Sequence, residues 1–467
     1  MSLGRQHPLA NVDWIMVIVY GAFVIFGWMN IYSAAVVDGH SNPMDMSQEY
    51  GKQFLFILIS SFLGLMILYM EGEFFNKFAI YIYGLFILIL LAVLVPGIGT
   101  KVNGARAWIQ FGGFALQPAE FAKIGVGLML AKYISNTKAK FNNWKTRLIA
   151  AFIIGIPAVL ILAQPDVGTL LTFVAFILAL YREGLSGNVL IIGLGAIVFG
   201  VLSIITGFSK IHYPFVGEQS GVYVLMIIVF IIGLIFMFLV KNFVVPRNRK
   251  KLFLITSVST VAALTFSFSV NYLVDGVLAK HQKTRIYVTL GLEEKDDDRE
   301  NMLVDAETAD AAAIIPKSKK DDPGYNARMA KIAVGNGGLI GQGYRQGPMT
   351  KNKYVPERWT DFIFSVISEE WGFIGSLSVV GLFVFMIIRI INMAERQRSQ
   401  FSRVYGYCVA SIFFLHLLIN VGMVIGLAPI IGIPLPFMSY GGSSLIGFTM
   451  LLFIFLRLDA ERLSVFR

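Results

Sequence analysis

Runs of about 20 apolar residues recur from one end of this 467-residue chain to the other. Each run is long enough to cross a bilayer as a helix, because a helix rises about 1.5 Å per residue and the hydrocarbon core is about 30 Å thick. The mean hydropathy of +0.70 fits no ordinary soluble domain. The pattern predicts an all-α polytopic membrane protein with about twelve transmembrane helices. The predicted spans are residues 13–36, 53–70, 74–95, 117–135, 147–164, 167–182, 187–207, 221–240, 251–275, 361–391, 402–428 and 441–458.

Charge in the short loops predicts the orientation of these spans. Basic residues cluster in loops that follow even-numbered spans, and loops rich in Lys and Arg usually stay in the cytoplasm. The clustered residues are Lys138, Lys140, Lys145, Arg147, Lys241, Arg247, Arg249, Lys250, Lys251, Arg389, Arg396, Arg398 and Arg403. This clustering explains the net charge of +10 without nucleic-acid binding. Both termini are therefore predicted to be cytoplasmic, and the loops that contain the non-repetitive polar clusters are predicted to face outward.

The longest predicted outer loop, residues 276–360, divides into two parts by composition. Residues 293–322 are rich in charged side chains and predict a mobile acidic insertion, because such a segment cannot bury a core. A calcium site is the alternative, although the spacing of the acids matches no EF-hand loop. The glycine-rich run at residues 335–343 predicts either a close approach to a phosphate or a tight surface turn. The chain as a whole, residues 1–467, is predicted to form a single transmembrane domain.

A charged loop at residues 353–361 runs directly into the apolar tenth span. It ends at Asp361, and Glu369 and Glu370 follow within that span. Acids near the bilayer centre cost roughly 2.5–3.5 kcal/mol, so they usually face protein or a wet cavity. Helical rise places the two glutamates about 12–13 Å deeper than Asp361, and their favoured role is pairing with basic residues of other spans. Asp361 is the candidate general base, and the alternative is that it caps the helix that follows.

Arg106 and Trp108 lie in an outer loop that leads into Pro118, a residue suited to the first turn of a helix. Glu120 and Lys123 are three residues apart on one face of that helix, so a mutual ion pair is the simpler interpretation. The functional alternative assigns Lys123 or Arg106 to an anionic ligand. Trp108 fits either this site or an interfacial aromatic anchor equally well.

Three further polar residues have both a structural and a functional interpretation. Asp166 resembles the N-cap of the sixth span. His416, inside the eleventh span, is more typical of a hydrogen-bonded packing residue than of a proton relay. Ser439 is followed by a tyrosine and two glycines and suits either an ordinary turn or a ligand contact. The single cysteine, Cys408, excludes an internal disulfide, and the sequence contains no zinc-ligand spacing.

Six motifs resemble the SEDS family, the RodA/FtsW/SpoVE group of bacterial cell-wall polymerases, and they occur in that family's order. They lie at residues 106–123, 164–169, 331–338, 356–364, 369–372 and 434–444 and cover nearly the whole chain. The aromatic segment at residues 26–34 looks closer to RodA, the elongation member, than to FtsW.

The resemblance implies a peptidoglycan glycosyltransferase that polymerises lipid II, a disaccharide-pentapeptide on undecaprenyl pyrophosphate, at the outer face of the bacterial cytoplasmic membrane. Asp361 matches the family's essential acid by position, which implies that it deprotonates or orients the acceptor hydroxyl. The residues that the resemblance assigns to substrate or pyrophosphate binding are Arg106, Trp108, Glu120, Lys123, Asp166, Lys331, Glu357 and Ser439. A Mg²⁺ or Mn²⁺ ion that bridges Asp361 and pyrophosphate is compatible with this site, but the sequence does not establish it.

The resemblance also implies partners, namely a class B penicillin-binding protein that cross-links the glycan and other membrane proteins of the elongation complex. Three alternative functions stay open: a lipid II flippase, a division-type polymerase like FtsW, and a scaffold that positions a transpeptidase. A flippase needs polar groups through the membrane, whereas the predicted cytoplasmic loops carry only solvated basic clusters.

The chain departs from the family pattern at several places. Trp359 occupies a position that is often His, and Lys353 one that can be Glu in FtsW-like members. Met329 and Ala330 replace the usual Gln-Ser pair. The acidic insertion and about two spans between residues 187 and 250 are additions to the family's ten-span plan.

Overall fold

The structure is a computed structural model that describes residues 9, 11–36, 42–102, 105–111, 114–137, 143–213, 217–277, 323–428 and 430–463. Ten helices within these residues are long and apolar enough to cross a membrane. Numbered in chain order, they are α1 (Trp14–Ala35), α2 (Glu49–Tyr69), α3 (Gly72–Leu94), α5 (Trp144–Ala163), α8 (Gly187–Phe208), α9 (Val222–Phe243), α10 (Pro246–Tyr272), α13 (Ile363–Glu395), α14 (Gln400–Ile425) and α15 (Gly442–Ala460). The prediction of an all-α polytopic membrane protein is confirmed.

The other two predicted spans also form helices, but they differ from these ten. Helix α4 (Pro118–Thr137) has 20 residues and carries three charged side chains, Glu120, Lys123 and Lys132. The sixth span is interrupted and forms α6 (Val167–Thr172) and α7 (Ala175–Arg182). The number of twelve transmembrane helices stays a prediction.

Short elements occupy several of the connections. Strands β1 (Thr100–Val102), β2 (Ala105–Phe111) and β3 (Phe114–Leu116) form an antiparallel sheet before α4, and β4 (Lys210–Tyr213) pairs with β5 (Gly217–Ser220) before α9. Helices α11 (Pro323–Asn336) and α12 (Pro348–Lys351) lie in the second part of the predicted outer loop. The predicted acidic insertion, residues 293–322, lies outside the described residues.

The contacts divide the chain into two compact units. The first contains α1 to α7, most of α11, and α12 to α15. Its centre is formed by α14, which packs against α4, α7 and α13, and by α15, which packs against α2 and α4. In α15, 17 of the 19 residues are buried, so this helix lies inside the bundle rather than against lipid. The prediction of a single domain stays a prediction.

The second unit contains α8, α9 and α10. Small and hydroxylated residues let these helices approach closely: Gly233 faces Thr260, and the hydroxyls of Ser203 and Ser267 are 2.9 Å apart. Only 11% of the apolar window of α9, and the same share of α10, is buried. Their outer faces are therefore apolar and exposed, as expected for helices that contact lipid.

Helix α13 is broken at Gly372, whose φ of 67° and ψ of −165° are not helical. The glycine-rich run pairs with the backbone there, since the amides of Gln342 and Gly343 donate to the carbonyls of Glu369 and Glu370 at 2.9 and 3.0 Å. A Cβ on Gly341 would lie 2.2 Å from the Glu370 carbonyl oxygen. The glycines therefore permit close backbone packing at a helix kink, a role that neither sequence interpretation of the run included.

The two glutamates before the kink accept hydrogen bonds from amides and hydroxyls. Glu369 is buried and accepts from the backbone amides of Met349 and Thr350 at 2.8 and 2.9 Å and from the Thr350 hydroxyl at 2.6 Å. Glu370 accepts from the Ser33 hydroxyl of α1. The prediction that they pair with basic side chains was wrong, because their hydrogen-bond donors are amides and a hydroxyl of α12 and a hydroxyl of α1.

The arginines at the predicted cytoplasmic ends form ion pairs between helices. Arg389 binds Asp13 at 2.9 Å, and Arg403 binds Glu183 at 3.0 Å. Arg396 binds the fully buried Asp459 through two hydrogen bonds. The prediction that these clusters are only solvated was wrong, because the acids that pair with them are distant in sequence.

Candidate active site

The loop that leads into α13 is folded back on itself by a residue in the left-handed region. Glu357 has a φ of 50°, which costs a non-glycine residue about 1–2 kcal/mol. Its carbonyl accepts from the amides of Thr360 and Phe362 at 3.1 and 3.3 Å. The N-cap of α13 is Phe362, and no side chain caps this helix end. The alternative that Asp361 caps α13 was wrong, so its carboxylate is not occupied by that role.

The segment before α15, residues 430–441, holds this loop in place. The Asn420 amide of α14 donates to the Asp361 carbonyl at 2.8 Å and to the Ile433 carbonyl at 2.7 Å. The Ser439 hydroxyl donates to the Thr360 carbonyl at 2.7 Å and accepts from the Leu435 amide at 2.8 Å. These bonds fix the backbone on both sides of Asp361. Ser439 is buried and supports the loop.

The Asp361 carboxyl is partly buried and has acidic neighbours. Burial, followed by the negative charges of Glu357 and Asp166, raises the pKa of Asp361 to about 7. One carboxylate oxygen faces Gly432, where a Cβ would lie 3.1 Å away. Glu357 itself accepts from the Thr360 hydroxyl at 2.8 Å. A carboxyl that titrates near neutral pH can accept a proton from a hydroxyl and release it again.

Asp166 has a structural role as well as an electrostatic one. One of its oxygens accepts from the Thr169 amide at 3.0 Å, which confirms the predicted N-cap of α6. The other accepts from the Gln117 side-chain amide at 2.7 Å. Gln117 thereby ties the start of α4 to α6. The charge of Asp166 is held where it influences Asp361, although the two residues are 195 positions apart.

Arg106 and Trp108 lie on β2 of the small sheet. The Arg106 amide donates to the Gln164 carbonyl at 3.2 Å, two residues before Asp166. The Trp108 carbonyl accepts from the Thr100 hydroxyl at 3.1 Å. Within the described residues, the Arg106 guanidinium forms no ion pair. The sheet thus places Arg106, a cation without an ion pair in the described part of the chain, beside the segment that leads to Asp166.

Lys331 lies on α11 and is exposed. Its side chain crosses Gly426, the left-handed residue that ends α14, where a Cβ would lie 2.1 Å from Cε of the lysine. Gly426 is six residues before Gly432, which faces Asp361. In the part of the chain that the structure describes, Lys331 forms no ion pair. A second cation without an ion pair among the described residues therefore lies against the end of α14, six residues before the glycine that faces Asp361.

Glu120, Lys123 and His416 form a buried chain of polar groups behind this segment. The Lys123 ammonium binds both oxygens of Glu120 at 2.9 Å, which confirms the predicted ion pair. It also lies 3.1 Å from His416 Nε2, and His416 Nδ1 lies 3.1 Å from the Pro434 carbonyl. A neutral imidazole that accepts at Nε2 and donates at Nδ1 fits both contacts. His416 is thus a hydrogen-bonded packing residue, as predicted, and a ligand contact by Glu120 or Lys123 stays a prediction.

Sequence reasoning missed Asn420 and Gly432. An amide in the middle of an apolar helix is a signal that it bonds within the bundle, but it does not reveal which carbonyls it reaches. Gly432 gave no signal, because its role depends on a carboxylate 71 residues earlier in the chain. The described residues contain no group of three or more His, Cys, Asp or Glu that could hold a metal ion. A protein-only metal site does not fit them, and the bridging cation stays a prediction.

A family model described as "Cell cycle protein" and named for FtsW, RodA and SpoVE matches residues 13–213 and 308–463. A peptidoglycan glycosyltransferase RodA of Treponema pallidum is 28% identical over 94% of this chain and 96% of the relative. A probable peptidoglycan glycosyltransferase FtsW of Trichlorobacter lovleyi is also 28% identical, over 95% of this chain and 92% of the relative. A solved structure described as "Structural coordination of polymerization and crosslinking by a peptidoglycan synthase complex" has a TM-score of 0.65 and 21% identity, over 98% of this chain and 100% of that one.

Proposed function

The chain belongs to the FtsW/RodA/SpoVE family, and from that membership we propose that the Asp361 site polymerises lipid II into glycan strands. The protein is a peptidoglycan glycosyltransferase, the activity for which its curated relatives are named. The observation that carries the site assignment is the Asp361 carboxyl, which is partly buried, is not used as a helix cap and has a pKa raised to about 7.

The proposed step transfers one proton, forms one carbon–oxygen bond and breaks another. Asp361 accepts the proton of the sugar 4-hydroxyl on the acceptor, and the oxygen attacks the anomeric carbon of the growing glycan. The bond between that carbon and the pyrophosphate oxygen breaks, and undecaprenyl pyrophosphate leaves with the electron pair. A base with a pKa near 7 suits this step, because about half of it is ionised at neutral pH and the ionised form holds a proton strongly enough to accept one.

Arg106 and Lys331 are the proposed partners of the leaving pyrophosphate. Both are cations without an ion pair among the described residues. Arg106 bonds to the segment that leads to Asp166, and Lys331 lies against Gly426, six residues before the glycine that faces Asp361. Charge-assisted hydrogen bonds to phosphate are about twice as strong as neutral ones, so cations here stabilise the charge that develops as the bond breaks.

The decisive experiment incubates the purified protein with lipid II, alone and with its transpeptidase partner, and resolves glycan strands on gels. Asp361→Asn removes the base with little change of shape, so we expect polymerisation to fall at least a hundredfold. Glu71→Gln, which neutralises an exposed acid before α3, is the matched control and should polymerise like the parent. If Asp361→Asn polymerises as well as the parent, Asp361 is not the base. If that variant also transports lipid II in proteoliposomes, the flippase alternative is favoured.

A second assay tests the cation assignment. We expect Arg106→Gln to lower the rate of polymerisation by about tenfold to a hundredfold, since one charge-assisted bond to the leaving group is lost. Lys101→Gln is the matched control, because Lys101 lies opposite Arg106 in the same sheet and is exposed. Equal losses in the two variants would mean that general positive charge, and not Arg106, holds the pyrophosphate.

The membrane context supports a partner and a location for this activity. The protein has many apolar helices and is similar to a chain of a solved peptidoglycan synthase complex. We therefore propose that it works with a class B penicillin-binding protein, which cross-links the new glycan, and with other membrane proteins of the elongation complex. The proposed location is the bacterial cytoplasmic membrane, with both termini inside and Asp361 at the outer face. The positive-inside distribution of basic loops supports this orientation.

A further inference from the structure

The connection between α9 and α10 concentrates positive charge without acids nearby in sequence. Its cations are Lys241, Arg247, Arg249, Lys250 and Lys251. No Asp or Glu occurs from Val222 to Tyr272, the full length of both helices. In the other unit the comparable cation Arg389 has an acidic partner, Asp13. The α9–α10 pair therefore carries cations with no counter-charge of its own.

The start of α10 makes this charge unfavourable in the absence of a ligand. Four of the five cations lie within the first six residues of the helix, where the helix dipole already presents partial positive charge. Val245 caps this end without a side-chain hydrogen bond, and the first turn contains no acid. The Arg249 guanidinium reaches back to the Val244 carbonyl at 3.3 and 3.4 Å. An anion bound here would offset both the side-chain charges and the helix dipole.

A cavity of about 540 Å³ lies at this cluster, within the size range of small-molecule sites. Its lining residues are Lys241, Arg249, Lys250, Phe253, Leu254 and Ser257. Phe253 and Leu254 are 44% and 64% exposed, so the apolar side of the cavity is open to the surroundings of the helix. The cavity thus combines a mostly apolar lining with three cationic side chains, a combination that fits an amphipathic anion.

We propose that this cavity binds the phosphate headgroup of an acidic phospholipid, whose acyl chains lie along Phe253 and Leu254. The cations lie at the ends of two lipid-facing helices, the level at which a bilayer presents its phosphates, and the apolar side chains follow along α10. A zwitterionic lipid presents its own cation beside the phosphate, so it binds more weakly. This site is independent of the Asp361 chemistry.

The test uses the full-length protein in detergent and measures lipid binding by native mass spectrometry. The probes are phosphatidylglycerol and phosphatidylcholine with the same acyl chains, and inorganic phosphate is the competitor. The variant Lys241→Gln/Lys250→Gln removes two cavity cations, and Arg247→Gln/Lys251→Gln removes two cations of the same cluster that do not line the cavity. Leu254→Gln removes part of the apolar lining and leaves the charge unchanged.

We expect the parent to prefer phosphatidylglycerol and the cavity variant to bind it on the order of thirtyfold more weakly. The matched variant should keep the preference, Leu254→Gln should weaken it, and millimolar phosphate should not displace the lipid. Equal losses in the two double variants would overturn the proposal in favour of diffuse attraction. Displacement by free phosphate alone, or equal binding of both lipids by the parent, would also overturn it. Unchanged thermal unfolding of each variant shows that the fold is retained.

Discussion

At the scale of single residues, Glu357 tunes the proposed base. Its negative charge is one cause of the raised pKa of Asp361, and a base acts only when it is deprotonated. Glu357→Gln removes that charge, so the pKa of Asp361 should fall and activity should persist to lower pH. We expect the acid limb of the pH–rate profile to move down by roughly one unit. Polymerisation rates measured from pH 5 to 8 check this shift.

The direction of the shift separates charge from structure. Gln keeps an oxygen that can accept from the Thr360 hydroxyl, so the loop bond seen with Glu357 is retained. An acid limb that stays in place or moves to higher pH would contradict the coupling.

Asp361 was predicted from the sequence because a charged loop meets an apolar helix there. The contribution of Asp166 was not predicted, because the pattern along a chain does not reveal an approach over 195 residues.

At the scale of elements, the kink in α13 depends on the glycine-rich run. Gly341→Ala places a Cβ 2.2 Å from the Glu370 carbonyl oxygen at a residue with a φ of 85°, so loop and kink must separate. We expect a loss of about 2–4 kcal/mol in unfolding free energy and reduced polymerisation. Gly335→Ala is the matched control, because a Cβ there meets no atom within 4 Å. Thermal unfolding of both purified variants measures the difference, and equal unfolding temperatures would contradict the packing role.

Helix positions were predictable because hydrophobicity along a span is a local property. The break at Gly372 was not, since the carbonyls that it frees are satisfied by a loop about 30 residues earlier in the chain. The same limit explains why the hydrogen-bond donors of Glu369 and Glu370 were not predicted. These glutamates were expected to pair with cations of other spans, and they instead accept from amides of α12 and a hydroxyl of α1. Sequence patterns indicated which residues are buried acids, whereas only the fold identified their donors.

At the scale of the whole molecule, the two faces of the bundle use charge differently. At the predicted cytoplasmic ends, arginines are neutralised by acids of other helices, as Arg403 is by Glu183. Around Asp361, acids gather together while Arg106 and Lys331 stay without ion pairs among the described residues. Charge that is already paired is neutralised within the bundle, whereas charge without a partner of opposite sign is available to a substrate. This asymmetry predicts that substrate approaches only the Asp361 face.

That prediction requires the Asp361 loop to lie outside the cytoplasm. The test starts from a variant in which the buried Cys408 is replaced by Ala. In this background, Lys353→Cys places one exposed thiol in the Asp361 loop, and Arg398→Cys places one exposed thiol between α13 and α14. In intact spheroplasts, a membrane-impermeant maleimide should label Lys353→Cys fully and Arg398→Cys only after permeabilisation. After the kink at Gly372, residues 373–395 of α13 alone give a helical rise of about 34 Å, more than a bilayer core, so both positions cannot lie on one side if α13 spans it. Labelling of Arg398→Cys before permeabilisation would reverse the orientation and place Asp361 on the cytoplasmic side, which would contradict the proposed location of the site.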